Sequence, residues 1–110
     1  MVDKPYTAWL HELPCVVTGY IGEEIQQAHI RFADAAADKD LTGGGRKPDD
    51  FWSLPLHWME HARQHSMGER AYWEMVGKDP LALCRQLHAM HPATRRATTF
   101  ILSQVRRTRR

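Results

Sequence analysis

Acidic residues run out at Asp79, while Arg85, Arg95, Arg96, Arg106, Arg107, Arg109 and Arg110 all follow it. The formal net charge is only +2, so a near-neutral body carries a basic carboxyl-terminal end. Such an end suits a polyanionic partner, nucleic acid first among them, and equally describes a solvated tail. Cysteine is scarce too. Cys15 and Cys84 are the only two, too few for the disulfide framework of a small secreted domain, and free thiols fit a reducing compartment. Long hydrophobic runs are missing: nothing approaches the roughly 20 apolar residues of a membrane span. The opening MVDKPYTAWL also lacks the apolar stretch of a secretory signal. These absences lead to the expectation of a cytoplasmic protein with no membrane partner. What is present is enough for one core. The 110 residues fit a single domain of the usual roughly 100–200 residues, too small for a large cofactor-binding fold. An apolar content of 43% with four tryptophans argues for a packed globule over disorder.

Along the chain, Pro5 starts a short helix through Leu13, which Pro14 ends. CVVTGY (15–20) and IQQAHI (25–30) read as two short strands of a hairpin. Residues 32–50 form a long connection whose GGGRKP portion is incompatible with helix, and loops of this length are often functional. FWSLPL (51–56) is a brief extended stretch, with Pro55 where the next helix should begin. HWMEHARQHSM (57–67) is that helix, ending near Gly68, and GERAYWEMVG (68–77) is another, stopping at Gly77. DPLALCRQLHAM (79–90) starts on an N-cap candidate, Asp79, with Pro80 at the first helical position. ATTFILSQVRRTRR (97–110) reads as a terminal helix, apolar first and basic last. Trp52, Trp58, Trp73 and Tyr72 sit on periodic faces among apolar neighbours and are expected in the core. The fold class is therefore α+β: a β-hairpin and helix with additional helices at both ends.

The stretch LHWMEHARQH (56–65) places His57, His61 and His65 at four-residue intervals, a spacing that stacks side chains along one helix face with a drift of about 40° per step. Imidazoles at i and i+4 can converge on one metal ion, and such pairs also arise by chance. Since Pro55 puts His57 on or before the first turn, His61 and His65 are the better pair. His29, in QAHIR, alternates with Ala28 and Ile30 along its strand. A lone strand histidine is usually structural. Facing a helical pair, it forms the minimum of a hydrolytic metal site: a metal to neutralise phosphate and an imidazole, of ordinary pKa about 6.5, to deprotonate water. Arg46 and Lys47 in GGGRKP, and Arg31 on the strand, are candidate phosphate contacts. A plain surface loop and a salt bridge account for them as well.

The order A-H-I-R, G-x-K-P-x-D, a short extended stretch and then H-x-x-x-H resembles the HNH, or ββα-metal, endonucleases. It is most similar to small phage- and prophage-encoded members with an AHIR strand motif. The matching segments are Ala28–Arg31, residues 45–50, Leu54–Leu56 and His61–His65, followed by Gly68 and Glu69. Specificity lies in their order and spacing, since each motif is short.

The resemblance covers roughly residues 13–77 and implies an HNH-type nuclease domain with a ββα-metal core, placed in residues 1–92; the charge distribution makes 93–110 a basic carboxyl-terminal helix or tail. It implies a metal-dependent DNA endonuclease that hydrolyses phosphodiester bonds, serving phage or prophage DNA processing or recombination, with DNA and phage or host recombination proteins as partners. His29 becomes the general base, His61 a catalytic metal ligand, His65 a second ligand, and Asp50 the middle polar position that orients the base or holds the loop. The cofactor is one divalent ion, with Mg²⁺, Mn²⁺, Zn²⁺ and Ni²⁺ all open. Relatives often carry a further metal ligand just before the base, where this chain has Ala28. They also often brace the hairpin with a structural zinc on two C-x-x-C pairs. The corresponding positions here are Cys15 and Thr18, then His57 and Glu60, and one remaining cysteine speaks against a four-ligand zinc. Ala28 and the eroded pairs leave an alternative, a catalytically silent nucleic-acid-binding module that keeps the HNH fold. A helical protein-interaction domain with incidental histidines is a third.

Overall fold

The computed structural model describes residues 4–32 and 49–108. Arg46 and Lys47, and most of the 32–50 connection, lie outside the described residues. Within them the order is α1 (Lys4–Leu10), β1 (Ile25–His29), a 3-10 turn (Asp49–Phe51), β2 (Ser53–His57), α2 (Trp58–Met67), α3 (Glu69–Val76), α4 (Pro80–Met90) and α5 (Thr94–Thr108). The fold is α+β, with one two-stranded antiparallel sheet and five α-helices among the described residues.

The strand pairing differs from the expected hairpin. Residues 15–20 hold no strand, 16–18 being a turn, and β1 pairs instead with β2, drawn from the FWSLPL segment. The reason is turn chemistry. Gly19, at φ 82°, takes a left-handed conformation, its N–H donates to the Cys15 carbonyl at 2.9 Å, and the Thr18 N–H points at Cys15 Sγ at 3.4 Å. The β-branched run is thereby folded back on itself before it can extend. Pro55, expected to open a helix, sits within β2 opposite Gln27. Its carbonyl accepts from Val16 N at 3.1 Å, so its backbone faces away from β1 and the missing N–H breaks no ladder bond. The helix begins three residues later, at Trp58.

The remaining helices follow the sequence pattern closely. α1 stops at Leu10, and turns carry the chain on, with Leu13 N donating to Leu10 O at 3.1 Å. Asp79 caps α4, its carboxylate accepting from Leu81 N and Ala82 N at 3.1 and 3.2 Å, with Pro80 in the first turn. α5 starts at Thr94, one turn earlier than the apolar run suggested. Leu10, Leu56, Trp73, Leu87 and Ile101, from five different elements, belong to one buried cluster. Of the aromatics expected inside, Trp52, Trp73 and Tyr72 are buried, whereas Trp58 is 46% exposed. It occupies the first position of α2, beyond the edge of the sheet. No helix is long and apolar enough to cross a membrane among the described residues.

Two substitutions test this packing by urea unfolding. Leu56→Ala, at a fully buried site on β2, is expected to cost about 2–5 kcal/mol, and Asp79→Ala about 1 kcal/mol through the lost cap.

Candidate active site

His29 is the last residue of β1 and pairs across the ladder with Ser53. The 3-10 turn directly before β2 brings Asp50 against it, and Ser53 Oγ closes that turn by donating to the Asp50 carbonyl. Among the described residues, His29, Gln27 and Thr7 reach the Asp50 carboxylate. His29 Nε2 lies 2.8 Å from Oδ1, Gln27 Nε2 donates to the same oxygen at 3.2 Å, and Thr7 Oγ1 of α1 donates to Oδ2 at 3.3 Å. Gln27 Nε2 also donates to Ser53 Oγ at 3.0 Å. A carboxylate only accepts hydrogen bonds, so the proton of neutral His29 resides on Nε2 and the lone pair on Nδ1. The histidine side chain is 30% exposed and the carboxylate 11%. A buried acceptor therefore orients the imidazole, and among the described residues no hydrogen bond is made to its Nδ1.

On α2, His61 and His65 face each other with Nε2 atoms 3.2 Å apart and ring centroids 4.8 Å apart. Gln26 Oε1 lies 2.8 Å from His61 Nδ1; an amide oxygen accepts, so Nδ1 carries the proton and Nε2 presents its lone pair to His65. Fixing one ring nitrogen as donor to free the other as ligand is the usual support for a metal-binding histidine. The spacing fits as well: two nitrogens about 2.0–2.1 Å from one ion are about 2.9–3.4 Å apart at octahedral to tetrahedral angles. The separation of the His61 and His65 Nε2 atoms falls within that range, while among the described residues no group of three or more histidine, cysteine or acidic side chains is arranged to hold an ion. Partial burial lowers the His61 pKa from 6.5, helped by the positive charge that His65 and then His29 would carry.

Protein-family models, curated proteins and solved structures contain no match to this chain. The site is read from its own geometry.

His57 separates from the stripe. It caps α2, Nδ1 accepting from Met59 N at 3.2 Å, and its Nε2 faces Glu24 Oε1 at 3.1 Å. Both ring nitrogens are occupied, so its role is structural. Cys15 is buried with a free thiol. Glu60, the other position compared with a zinc brace, accepts from Tyr72 Oη at 2.7 Å. Burial first, and this bond second, push the Tyr72 pKa up. A hydrogen bond between α2 and α3 stands at that position.

Arg31 is exposed two residues past His29, and its backbone N–H is held by Glu69 at 2.9 Å. The structure brings His29 and Asp50 into contact, and His61 and His65 into contact. Thr7, Gln26 and Gln27 complete the site and were not singled out from the sequence. The two glutamines left a signal, polar side chains in a short strand beside a histidine; Thr7, 43 residues from Asp50, left none.

His61 should titrate below 6.5 in an NMR pH series, and His65→Ala should raise its midpoint only part of the way, because burial remains. The sign for stability follows: folded His61 binds its proton less readily than the unfolded chain. Its contribution is complete above pH 6.5 and is lost as pH falls through the lowered value. Unfolding free energy of the wild type should therefore decline on acidification below 6.5 more than that of His61→Gln.

Proposed function

We propose that this chain is a metal-dependent DNA endonuclease of the HNH (ββα-metal) type, hydrolysing phosphodiester bonds. The observation that carries the reading is one imidazole–carboxylate pair, His29 and Asp50 at 2.8 Å on the sheet, together with an Nε2–Nε2 pair at 3.2 Å on the helix that leaves it. The succession of a strand bearing the base, a second strand and a helix bearing two imidazoles supports the ββα reading.

In this reading Nδ1 of His29 accepts a proton from the water that attacks phosphorus. The Asp50 carboxylate, against Nε2–H, stabilises the imidazolium so formed and keeps the ring from turning. Gln27 and Thr7 hold that carboxylate in place, and Gln26 keeps His61 Nε2 unprotonated. A divalent ion on His61 and His65, when bound, supplies neutralisation of charge on the scissile phosphate and the leaving oxygen. Arg31 and the arginines of α5 suit phosphate contacts, which position the duplex without reading its sequence. Weak sequence preference and a steep salt dependence follow. Service in phage or prophage DNA processing is the setting that the motif resemblance suggests.

The test is nicking of supercoiled plasmid in Mg²⁺, Mn²⁺, Zn²⁺, Ni²⁺ or EDTA. Metal-dependent nicking is expected, with a loss of about 10²–10⁴-fold for His29→Ala and loss of both cleavage and ion binding for His61→Ala. Gln26→Leu is expected to weaken Co²⁺ binding about 10–100-fold by calorimetry. Plasmid binding without cleavage in any metal would overturn the nuclease and leave a nucleic-acid-binding module.

A further inference from the structure

We infer that Glu69 is a positioning residue that sets the separation between the base-bearing strand and the ion-holding helix, an inference that rests on the nuclease reading. Glu69 is the first residue of α3, one residue beyond Gly68 and two beyond Met67, where α2 ends. Gly68, at φ 92°, makes the abrupt corner between these helices in a conformation that favours glycine. From that corner the Glu69 carboxylate reaches back to β1. Its Oε1 accepts from Arg31 N at 2.9 Å and Phe32 N at 3.1 Å, and its Oε2 accepts from Arg31 N at 3.1 Å.

Those N–H groups leave the strand just after His29, where the ladder with β2 has ended. They need partners, and water would serve. A carboxylate serves with charge-assisted bonds, roughly twice as strong as neutral ones, and it also fixes a location. The next residue adds to the same corner, the Arg70 guanidinium lying 4.4 Å above the Phe32 ring. Near the other end of β1, Gln26 holds His61 at 2.8 Å. Strand and helix are thus tied at two points on either side of His29, one within α2 and one just past its end. The His29–Asp50 and His61–His65 pairs each have their own supports. Glu69 contributes what neither pair supplies, their mutual distance.

A misplacement of about 1 Å costs on the order of 10²-fold in rate. Glu69→Ala is therefore expected to lower kcat about 10²-fold with little change in KM for plasmid or in Co²⁺ affinity. Glu69→Gln, which keeps one carbonyl acceptor, should lie between. Two measurements separate positioning from general structural support. In Co²⁺-loaded protein, the paramagnetic shift of the His29 ring proton should change in Glu69→Ala and return toward wild type in Glu69→Gln. In a His29→Ala background, Glu69→Ala should remove nothing further from the residual rate. An unchanged His29 shift, or an equal loss of rate in both backgrounds, overturns the inference. Should Glu69→Ala unfold, the same comparisons are made with Glu69→Gln. A wild type that binds Co²⁺ but does not cleave sinks the nuclease reading, and the His29 shift then decides the role of Glu69 alone. A wild type that binds no Co²⁺ overturns both.

Discussion

The antiparallel ladder between β1 and β2 is the constraint on which the site depends. Its register sets His29 opposite Ser53 and Ile25 opposite His57. One end thereby delivers the 3-10 turn and Asp50 to the imidazole, and the other launches α2 directly from the strand. A slip of one residue would turn His29 to the opposite face and bring Ala28 out of the core. Two strands alone are marginal in water. Here Leu54 and Leu56 are fully buried, and α1, α2 and α4 pack against the sheet. The apolar backing defines the register, and the register defines the chemistry.

Four histidines near this ladder illustrate how a single hydrogen bond assigns a role. His29 meets a carboxylate through Nε2, which leaves the lone pair on Nδ1. His61 meets an amide oxygen through Nδ1, which leaves Nε2 for its neighbour. His65 completes that pair from one turn further along α2. His57 spends both nitrogens on Met59 N and Glu24 and becomes a cap. All four are imidazoles of similar intrinsic basicity, and the partners alone make them different.

Polar contacts also join α2 to α3. Gln64, wholly buried, accepts from Trp73 Nε1 at 2.7 Å, and Tyr72 donates to Glu60. Unpaired, such groups would penalise folding; paired, they fix one packing of two helices whose opposite faces are polar. The His61–His65 pair rides on that packing, His61 half-buried against Gln26 of β1 and His65 exposed.

The sequence by itself determined most of the helices and the spacing of the His61–His65 pair, because caps, proline positions and the 3.6-residue period act locally. Asp79, Pro80 and the i, i+4 interval need no knowledge of distant chain. It also marked His29 and Asp50 as candidates. Only the tertiary structure decided the partner of β1, since the β-branched residues 15–20 looked like a strand until Gly19 and Cys15 closed a turn between them. It likewise decided that Pro55 belongs to a strand, because an outward-facing backbone position needs no N–H. Thr7, Gln26, Gln27 and Glu69 acquire their roles from contacts spanning 23 to 43 residues. Such contacts arise when an apolar core brings remote segments together, and nothing in the local order of residues encodes which polar groups will then meet.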